Sequence, residues 1–294
     1  MSETDLDSLK ATILRDLPDL AGSTFKILPR GWDCVAVDVD DRLICKFPRN
    51  ANAETALVMQ VKLLEVIRPR VSLPVPDMRL HDGPPIFSTH DKLHGEHLPP
   101  AEYAQLSESS KQRLGEDLGR FYAQLHAIDQ RQLIAAGAQP IRPWRTPNEI
   151  RERTLTILPA ELRSFAEKTI AAYERLEPDP HGVTYGFFDG HGWNMAFDHA
   201  RERLNGIYDF GDSGMGPLHQ EFIYSNMVSA DLTERIVTAY EGESGRKLDR
   251  RRIDTLTGAH RLWELGELVD NPDHRKLATE SVARWAGVMG SRRH

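Results

Sequence analysis

Three polar side chains between residues 185 and 221 have the types and the order that metal-assisted phosphoryl transfer requires. Asp189 is followed five residues later by Asn194, and Asp209 opens a second polar segment. Two apolar runs flank a polar turn between Asn194 and Asp209, a pattern that predicts a β-hairpin. Asn194 and Asp209 would then lie near its open ends, where an amide and a carboxylate form an oxygen site suited to Mg²⁺. Asp189 stays free to accept a proton from a hydroxyl, which completes the layout of a kinase-type reaction.

The bulk composition limits the classes of protein to which the chain can belong. Its 294 residues, 40% of them hydrophobic, suffice for one large domain or two lobes with a real core. The net charge of −7 disfavours nucleic acid as a partner and favours a cationic one. No apolar run approaches the roughly 18 residues of a membrane-spanning helix, and the acidic N-terminus lacks the apolar core of a signal peptide. We therefore expect a cytoplasmic protein with no membrane partner, of a size that leaves its oligomeric state open.

Cysteine and histidine usage argues against a disulfide framework and against a zinc site. Cys34 and Cys45 are the two cysteines, and both fall in strand-like runs, so we expect buried thiols in a reducing compartment. The twelve histidines are scattered and show none of the ligand spacings of zinc sites. The sequence also contains neither a P-loop nor a Gly-x-Gly-x-x-Gly motif.

The first third of the chain predicts a sheet with one long helix. Alternating valines at 35, 37 and 39 have the period of a half-buried strand, and Asp40-Asp41 would close a tight hairpin into the next strand. In that next strand Lys46 lies on the face opposite Cys45 and Phe47. Strands are expected at 24–28, 34–39, 42–47 and 85–89, and helices at 6–17 and 51–67.

From Gly95 onward the pattern is mainly helical. Thr146 to Glu149 has the capping threonine, the proline and the glutamate of a well-formed helix start. Further helices are expected at about 114–125, 159–176, 219–229, 231–241, 250–270 and 274–288, and the hairpin supplies the only expected strands. The sequence thus predicts an α+β, bilobal, protein-kinase-like fold. A small antiparallel-sheet lobe (1–91) would bind the nucleotide, and a larger helical lobe (92–294) would hold the rest of the site, in the cleft between them.

Several short segments match the phrases of one family in the right order. They are Gly-Trp-Asp at 31–33, Lys-Phe-Pro-Arg at 46–49, Ile-Tyr-Asp-Phe-Gly-Asp at 207–212, and shorter matches at 73–76, 92–96 and 125–129. On these motifs the chain resembles the aminoglycoside phosphotransferase family from about residue 25 to residue 269. It is most similar in its motifs to the 2″-type aminoglycoside kinases. The family's fold is similar to that of protein kinases and choline kinase.

The resemblance implies a role for each matching residue. Asp189 would be the catalytic aspartate, Asn194 and Asp209 would bind Mg²⁺, and the phosphoryl donor would be ATP or GTP. At the nucleotide, Lys46 would contact the α- and β-phosphates, with Gln60 beside it. Gly31, Trp32 and Asp33 would form the loop that covers the phosphates. Ser88 and His90 would lie in the hinge that offers backbone groups to adenine.

The chain departs from the family pattern at four positions. Phe187 replaces the usual histidine of the catalytic loop, and Gln60 replaces the helix glutamate that pairs with the strand lysine. Gln60 can hydrogen-bond Lys46 but cannot neutralise its charge. The usual Gly-Asp-Pro is Gly-Pro-Leu at 216–218, and the acid that follows it is Glu221 rather than aspartate. None of these changes removes the base or the metal ligands.

Acidic side chains late in the chain are the candidates for binding the acceptor. Glu264, Glu267 and Asp270 recur every three residues beside Trp263, and a solvated helix face is the ordinary explanation of such a stripe. The resemblance places substrate-binding acids on late helices, which favours a pocket for a cation. Glu221 is assigned to the same site, and from the start of a helix it would also tie down the backbone of the catalytic loop.

The sequence predicts a small-molecule kinase that transfers the γ-phosphoryl of ATP or GTP to a hydroxyl of an aminoglycoside-like aminated sugar, with antibiotic resistance as the consequence. A macrolide or a small metabolite is the alternative acceptor. A nucleotide-binding pseudokinase is the alternative outside the enzymes. His191 and Trp193, in the catalytic loop, are expected to pack rather than to take part in the chemistry.

Overall fold

The computed structural model describes residues 5–29 and 33–291 of the chain. Its N-terminal elements are α1 (Leu6–Asp16), β1 (Phe25–Ile27), β2 (Cys34–Val39), β3 (Leu43–Pro48), α2 (Ala51–Ile67), β4 (Arg79–His81) and β5 (Phe87–Asp91). The strands form one antiparallel sheet in the order β1-β2-β3-β5-β4. The predicted small antiparallel sheet with one long helix is therefore present, and the predicted helix at 51–67 has the expected bounds.

The turn between β2 and β3 fixes which residues of the sheet face the cleft. Asp40 and Asp41 both have positive φ, 56° and 54°, as a tight hairpin turn requires. The resulting register pairs Ala36 with Lys46 and Val37 with Cys45. Val37 and Cys45 are buried in a cluster with residues of α1, so Lys46 points from the opposite face, as the sequence predicts.

The last two strands of this sheet differ from the prediction. The strand expected at 85–89 runs over Phe87–Asp91, and β4, at Arg79–His81, was not predicted. A three-residue strand is too short to show alternation, which explains why its pattern gives no signal. The expected division of the chain between residues 91 and 92 stays a prediction.

The C-terminal part is larger and mainly helical. Its elements are α3 (Pro100–Gln105), α4 (Glu108–His126), α5 (Gln130–Ala135), α6 (Pro147–Thr154), α7 (Ala160–Glu174), β6 (Val183–Gly186), β7 (Met195–Asp198), β8 (Arg203–Ile207), β9 (Gly214–Pro217), α8 (Ala230–Ser244), α9 (Arg250–Glu267) and α10 (Pro272–Ser291). The predicted hairpin is β7–β8, and the predicted start of α6 has both hydrogen bonds of a capping box. Residues 218–227 form 3₁₀ turns where an α-helix was expected.

The prediction that the hairpin supplies the only strands of this part is wrong, because β6 and β9 also pair. Their register places Gly186 opposite Gly214. A Cβ on Gly216 would lie 2.5 Å from the Ile141 side chain and 2.7 Å from that of Phe188, so the strand needs glycine there. Short strands rich in glycine lack the alternating pattern that predicts a strand. The pairing sets the loop after β6 beside the loop before β9.

The helical core is built on close packing of α4 against α8. A Cβ on Gly119 of α4 would lie 2.6 Å from the Ala239 Cβ and 2.8 Å from both the Ile236 carbonyl oxygen and the Tyr240 nitrogen. Two of these three contacts are with backbone, so the helices could not accept a methyl group without moving apart. Within the described part of the chain, no helix is both long enough and apolar enough to cross a membrane.

We predict that Gly119→Ala destabilises the protein although alanine is the better helix former. Overpacking costs about 1–3 kcal/mol, against roughly 1 kcal/mol gained from helix propensity. Gly242→Ala is the matched control, because a Cβ on Gly242 of α8 meets nothing within 4 Å. Thermal denaturation should show a lower melting temperature for Gly119→Ala and an equal or higher one for Gly242→Ala. Equal melting temperatures for the two variants would contradict the packing argument.

Candidate active site

Asp189 lies in the loop between β6 and a 3₁₀ turn at Gly192–Asn194 that leads into β7. The side-chain nitrogen of Asn194 donates to Asp189 twice, to Oδ2 at 2.6 Å and to the backbone oxygen at 3.0 Å. The amide therefore turns its Oδ1 away from Asp189. The carboxylate of Asp189 is 20% exposed, so a hydroxyl can reach it.

Asp209 follows β8 and is joined to the N-terminal sheet by an ion pair. The Lys46 ammonium lies 3.1 Å from Oδ1 of Asp209. Asp209 has a left-handed backbone, φ 67°, and Phe188, just before Asp189, has φ 51°. Such conformations are costly for non-glycine residues and recur at functional sites, where the surrounding structure holds them. One of these two residues, Asp209, is a candidate metal ligand, and the other, Phe188, precedes the candidate base Asp189.

Glu221 binds the backbone of the loop that leads to Asp189. Its side chain is fully buried and accepts hydrogen bonds from the backbone nitrogens of Phe187 at 2.7 Å and Phe188 at 2.9 Å. The His126 ring contributes a third contact at 3.3 Å. A buried carboxylate is stable only with such partners. The assignment of Glu221 to the acceptor site is therefore wrong, whereas its expected tie to the loop backbone is present.

Phe187, which replaces the family's histidine, packs into the core. Its ring centroid lies 4.7 Å from that of Phe210 and 6.4 Å from that of Phe121, in tilted and edge-on contacts. The side chain thus connects the catalytic loop to the segment that carries Asp209. Apolar packing takes the place of a polar anchor.

Gln60 contacts the loop after Asp209, where the sequence suggested a contact with Lys46. With its amide oxygen turned toward the loop, Gln60 accepts from the backbone nitrogen of Phe210 at 2.6 Å and of Gly211 at 3.2 Å. The side chain is buried in α2. Gln60 therefore acts on the metal-binding segment through its backbone, and Asp209 provides the contact that Lys46 makes in this structure.

The backbone groups of Ser88 and His90 in β5 face the neighbouring strand β3. Ser88 and His90 lie opposite Lys46 and Ile44, and the neighbouring bond from Lys92 nitrogen to Arg42 oxygen sets the direction of the ladder. In an antiparallel ladder alternate residues bond the same neighbour, so the backbone groups of Ser88 and His90 are engaged by β3. The expectation that these two residues offer free backbone groups to adenine is therefore wrong.

The side chains of Ser88 and His90 share the face of Lys46. The Ser88 hydroxyl is buried without a hydrogen-bond partner among the described residues, and Nδ1 of His90 bonds the Asp91 carbonyl at 2.9 Å. Burial lowers the pKa of His90 to about 4, so the ring is neutral near pH 7. Asp33 is the one described residue of the predicted phosphate-covering loop; Gly31 and Trp32 lie outside the described residues.

His191 contacts the carboxylate of Asp189, whereas the sequence predicted only a packing role for it. Its Nε2 lies 3.1 Å from Oδ1 of Asp189, on the oxygen that Asn194 leaves free. Burial lowers the pKa of His191, but the hydrogen bond and the charge of Asp189 outweigh it and raise the pKa above its ordinary value. The two oxygens of Asp189 are thus each held by one donor. The Asp-x-His spacing was the available signal, and the low specificity of a lone histidine concealed it.

The three residues of the predicted acidic stripe, Glu264, Glu267 and Asp270, have different surroundings in the structure. Desolvation raises the pKa of Glu264 and the charge of Asp189 adds to this, whereas the charges of Arg261 and His191 oppose it. Glu267 instead forms ion pairs with Arg142, at 2.9 Å, and with Arg145. Asp270 lies beyond the end of α9 at Glu267 and is exposed, so it is not on the same helix face. The three acidic residues therefore have different surroundings, and their assignment to the acceptor stays a prediction.

Trp263 belongs to an aromatic cluster beside Glu264. Its ring centroid lies 6.2 Å from that of Trp144, at an interplanar angle of 23°, and 5.4 Å from that of His260. The Arg142 guanidinium lies 5.8 Å from the ring centre of Trp263. Sequence reasoning missed Trp144 and Arg142, because they come from a loop more than one hundred residues earlier in the chain.

The oxygen atoms around Asp209 fit a Mg²⁺ ion. Asn194 has an unused amide oxygen and Asp209 a second carboxylate oxygen, both hard ligands of the kind that magnesium prefers. Asp212 adds to the negative charge: desolvation, followed by the charges of Asp189 and Asp209, raises its pKa to about 6. Within residues 5–29 and 33–291, no group of three or more His, Cys, Asp or Glu side chains could hold a metal on its own. Water and phosphate oxygens would therefore complete the coordination.

The fold and the site together define a phosphotransferase. Residues 24–256 match the family described as "Phosphotransferase enzyme family", and the chain belongs to it. No curated protein matches the chain in sequence.

Solved structures with a similar fold include aminoglycoside and macrolide kinases. A variant of aminoglycoside 2′-phosphotransferase-IIIa in complex with GDP has a TM-score of 0.82 at 18% identity, over 96% of this chain and 98% of that chain. Macrolide 2′-phosphotransferase MphH from Brachybacterium faecium has a TM-score of 0.69 at 19% identity, over 94% and 98%. The ADP-bound aminoglycoside phosphotransferase APH(2″)-Ib has 0.62 at 17% identity, over 94% and 96%. The predicted kinase-like fold is confirmed.

We predict that Gln60→Met weakens the metal-binding segment and that Gln60→Glu largely preserves it. Methionine keeps the length of the side chain but leaves the nitrogens of Phe210 and Gly211 without an acceptor, at a cost of about 1–3 kcal/mol. Glutamate keeps the acceptor atoms. Thermal denaturation and calorimetric titration with Mg·ATP and Mg·GTP should both separate the variants. If Gln60→Met matches the wild type in both measurements, Gln60 does not hold this loop.

Proposed function

We propose that this protein transfers the γ-phosphoryl group of ATP or GTP to a hydroxyl of a small molecule that carries an amino group. The observation that carries the proposal is the arrangement of two contacting pairs. The Asn194 amide lies 2.6 Å from the Asp189 carboxylate, and the Lys46 ammonium lies 3.1 Å from the Asp209 carboxylate. This arrangement provides a base, an oxygen site for a metal and a cation for the phosphates.

The residues divide the reaction between them. A hydroxyl oxygen attacks the γ-phosphorus, the bond from that phosphorus to the β–γ bridging oxygen breaks, and the nucleoside diphosphate leaves. Asp189 accepts the hydroxyl proton, and its carboxylate is held for this by Asn194 and His191. Lys46 orients the α- and β-phosphates. Mg²⁺, held by Asn194 and Asp209, would neutralise the charge of the phosphate oxygens.

A catalytically inactive nucleotide-binding protein is the alternative that Gln60 and Phe187 suggested. Both residues make contacts that stabilise the site: Gln60 hydrogen-bonds the backbone after Asp209, and Phe187 packs against Phe210. Neither substitution displaces Asp189 or the metal ligands. These contacts favour an active enzyme.

The amino group of the acceptor is inferred from Glu264. This carboxylate is desolvated, and the charges that act on it are those of Arg261, His191 and Asp189. An ammonium beside the reacting hydroxyl would further stabilise its charged form. Aminoglycosides and macrolides both bear amino sugars, so both remain acceptors for a cytoplasmic enzyme of this kind, with antibiotic resistance as the outcome. A screen of aminoglycosides, macrolides and small alcohols with Mg·ATP and Mg·GTP tests the proposal. The absence of any Mg²⁺-dependent nucleotide turnover would reject it.

We predict that Asp189→Ala lowers kcat at least about a hundredfold with the best acceptor found, because the hydroxyl loses its base and its positioning group. The nucleotide Kd should change little, since Asp189 is not proposed to bind the metal. Asp198→Ala, at the far end of the hairpin in an exposed ion pair with Arg201, is the matched control and should keep its activity. Near wild-type turnover by Asp189→Ala would remove Asp189 from the mechanism.

We predict that Asp209→Ala weakens Mg²⁺-dependent nucleotide binding as well as turnover. It removes one metal ligand and the partner of Lys46. Calorimetric titrations with Mg·ATP, and with ATP in excess EDTA, should show that the difference in affinity between the two conditions shrinks in the variant. If that difference is unchanged, Asp209 does not bind the metal.

A further inference from the structure

Two residues of α4 lie against the catalytic loop from the interior of the protein. The rings of Tyr122 and His126, one helical turn apart, stack with their centroids 6.3 Å apart at an interplanar angle of 18°. Tyr122 is 1% exposed, and the side chain of His126 is equally buried. Their polar atoms reach the loop on different sides of Asp189, one after it in the chain and one before it.

The contact after Asp189 is steric. The hydroxyl oxygen of Tyr122 fills the space beside Gly190, because a Cβ built on Gly190 would lie 2.0 Å from that oxygen. Gly190 does not have a positive φ, so the contact, rather than the backbone conformation, requires glycine there. Burial raises the pKa of Tyr122 well above its ordinary value, and the charges of Glu221 and Asp189 add to this, so the group stays a neutral hydroxyl.

The contact before Asp189 passes through Glu221. Nε2 of His126 lies 3.3 Å from Oε2 of Glu221, and the same oxygen accepts from the Phe187 nitrogen at 2.7 Å. A carboxylate only accepts, so Nε2 carries a hydrogen and donates it. The hydroxyl of Tyr240 lies 3.0 Å from Nδ1 of His126. The ring is thus held at both nitrogens, between Tyr240 and the carboxylate that binds the loop.

The packing of α4 against α8 fixes the orientation of this ring. Gly119 lets the helices approach, since a Cβ there would lie 2.8 Å from the backbone nitrogen of Tyr240. Phe222 packs edge-on against both rings, with its centroid 6.4 Å from that of His126 and 4.9 Å from that of Tyr240. Closely packed rings have little freedom to reorient, so the donor to Glu221 has a fixed position.

We propose that Tyr122 and His126 are positioning residues that fix the carboxylate of Asp189 for the transfer reaction. They hold the loop on both sides of Asp189, through Gly190 after it and through Glu221 before it. Such support matters because a misplacement of about 1 Å can lower a rate about a hundredfold. The inference rests on the proposed role of Asp189 as the base, and it names the residues that place this base.

Two substitutions of His126 separate its nitrogens. Glutamine can place its amide nitrogen near the position of Nε2 and keep a donor to Glu221, whereas asparagine can reach only the position of Nδ1. Hydrogen–deuterium exchange measured by mass spectrometry should show the amides of Phe187 and Phe188 exchanging at least about tenfold faster in His126→Asn, because Glu221 loses a partner and the loop opens more often. In His126→Gln the exchange should stay within about threefold of the wild type.

The hydrolysis of Mg·ATP, with water as the acceptor, supplies the functional readout. The value of kcat should fall at least about tenfold in His126→Asn and much less in His126→Gln, with smaller changes in KM, as expected when positioning rather than binding is lost. Tyr240→Phe is a milder second variant that removes only the hydroxyl at Nδ1. Its exchange and its kcat should lie between those of the wild type and those of His126→Asn.

A compensating pair tests the contact of Tyr122 with Gly190. Gly190→Ala should lower kcat at least about tenfold, because the new methyl group meets the Tyr122 oxygen and displaces the loop. With Tyr122→Phe added, the nearest ring atom would be the Cζ carbon at 3.3 Å, so kcat should recover at least about fivefold relative to Gly190→Ala. Two substitutions that acted only through global stability would add their losses instead.

Tyr103→Phe is the matched control for the loss of a buried hydroxyl. Tyr103 is 3% exposed and donates to Asp231 at 2.5 Å, in a contact that does not involve the catalytic loop. This variant should lower the melting temperature without a change in kcat or in the exchange of Phe187 and Phe188.

Three outcomes would overturn the inference. They are equal exchange in His126→Asn and His126→Gln, faster exchange in His126→Asn with unchanged kcat, and a double variant of Gly190 and Tyr122 that is no more active than Gly190→Ala. The proposed function fails separately. If the wild type shows no Mg²⁺-dependent nucleotide turnover with any hydroxyl compound or with water, phosphoryl transfer is wrong, whereas the exchange rates still decide whether α4 holds the loop.

Discussion

One buried carboxylate sets the geometry on which the rest of the site depends. Glu221 has no contact with solvent and accepts from the two backbone nitrogens that precede Asp189. A buried charge is costly unless its lone pairs are satisfied, so the loop must present those nitrogens to it. Phe188 consequently stays in a left-handed conformation. The position of Asp189 thus follows from a residue that never meets the substrate.

Two further constraints bring the catalytic parts together. The pairing of β6 with β9 fixes the loop of Asp189 beside the segment of Asp209, and the ion pair of Asp209 with Lys46 fixes that segment against the N-terminal sheet. Preorganisation of this kind is what phosphoryl transfer needs, because most of the rate enhancement comes from positioned charge. The departures from the family pattern at Gln60 and Phe187 leave these constraints intact and add contacts of their own.

The acceptor side shows why fold and substrate are separate questions. The fold is shared with aminoglycoside and macrolide kinases at similar, low identity, and a shared fold does not decide between their acceptors. Glu264 and Glu267 look alike in the sequence, but only Glu267 meets two arginines.

The sequence alone predicted the fold class, the long helix α2 and the β7–β8 hairpin, because each depends on local periodicity. It also indicated Asp189, Asn194 and Asp209 as candidates by their spacing within one segment. Only the tertiary structure decided the contacts of Gln60 and His191, the burial of Glu221 and the neutralisation of Glu267. Those outcomes depend on which side chains meet across the fold: Arg142 and Glu267 are 125 positions apart in the chain. No local pattern encodes such a pair, since its energy comes from proximity, burial and charge that exist only once the chain has folded.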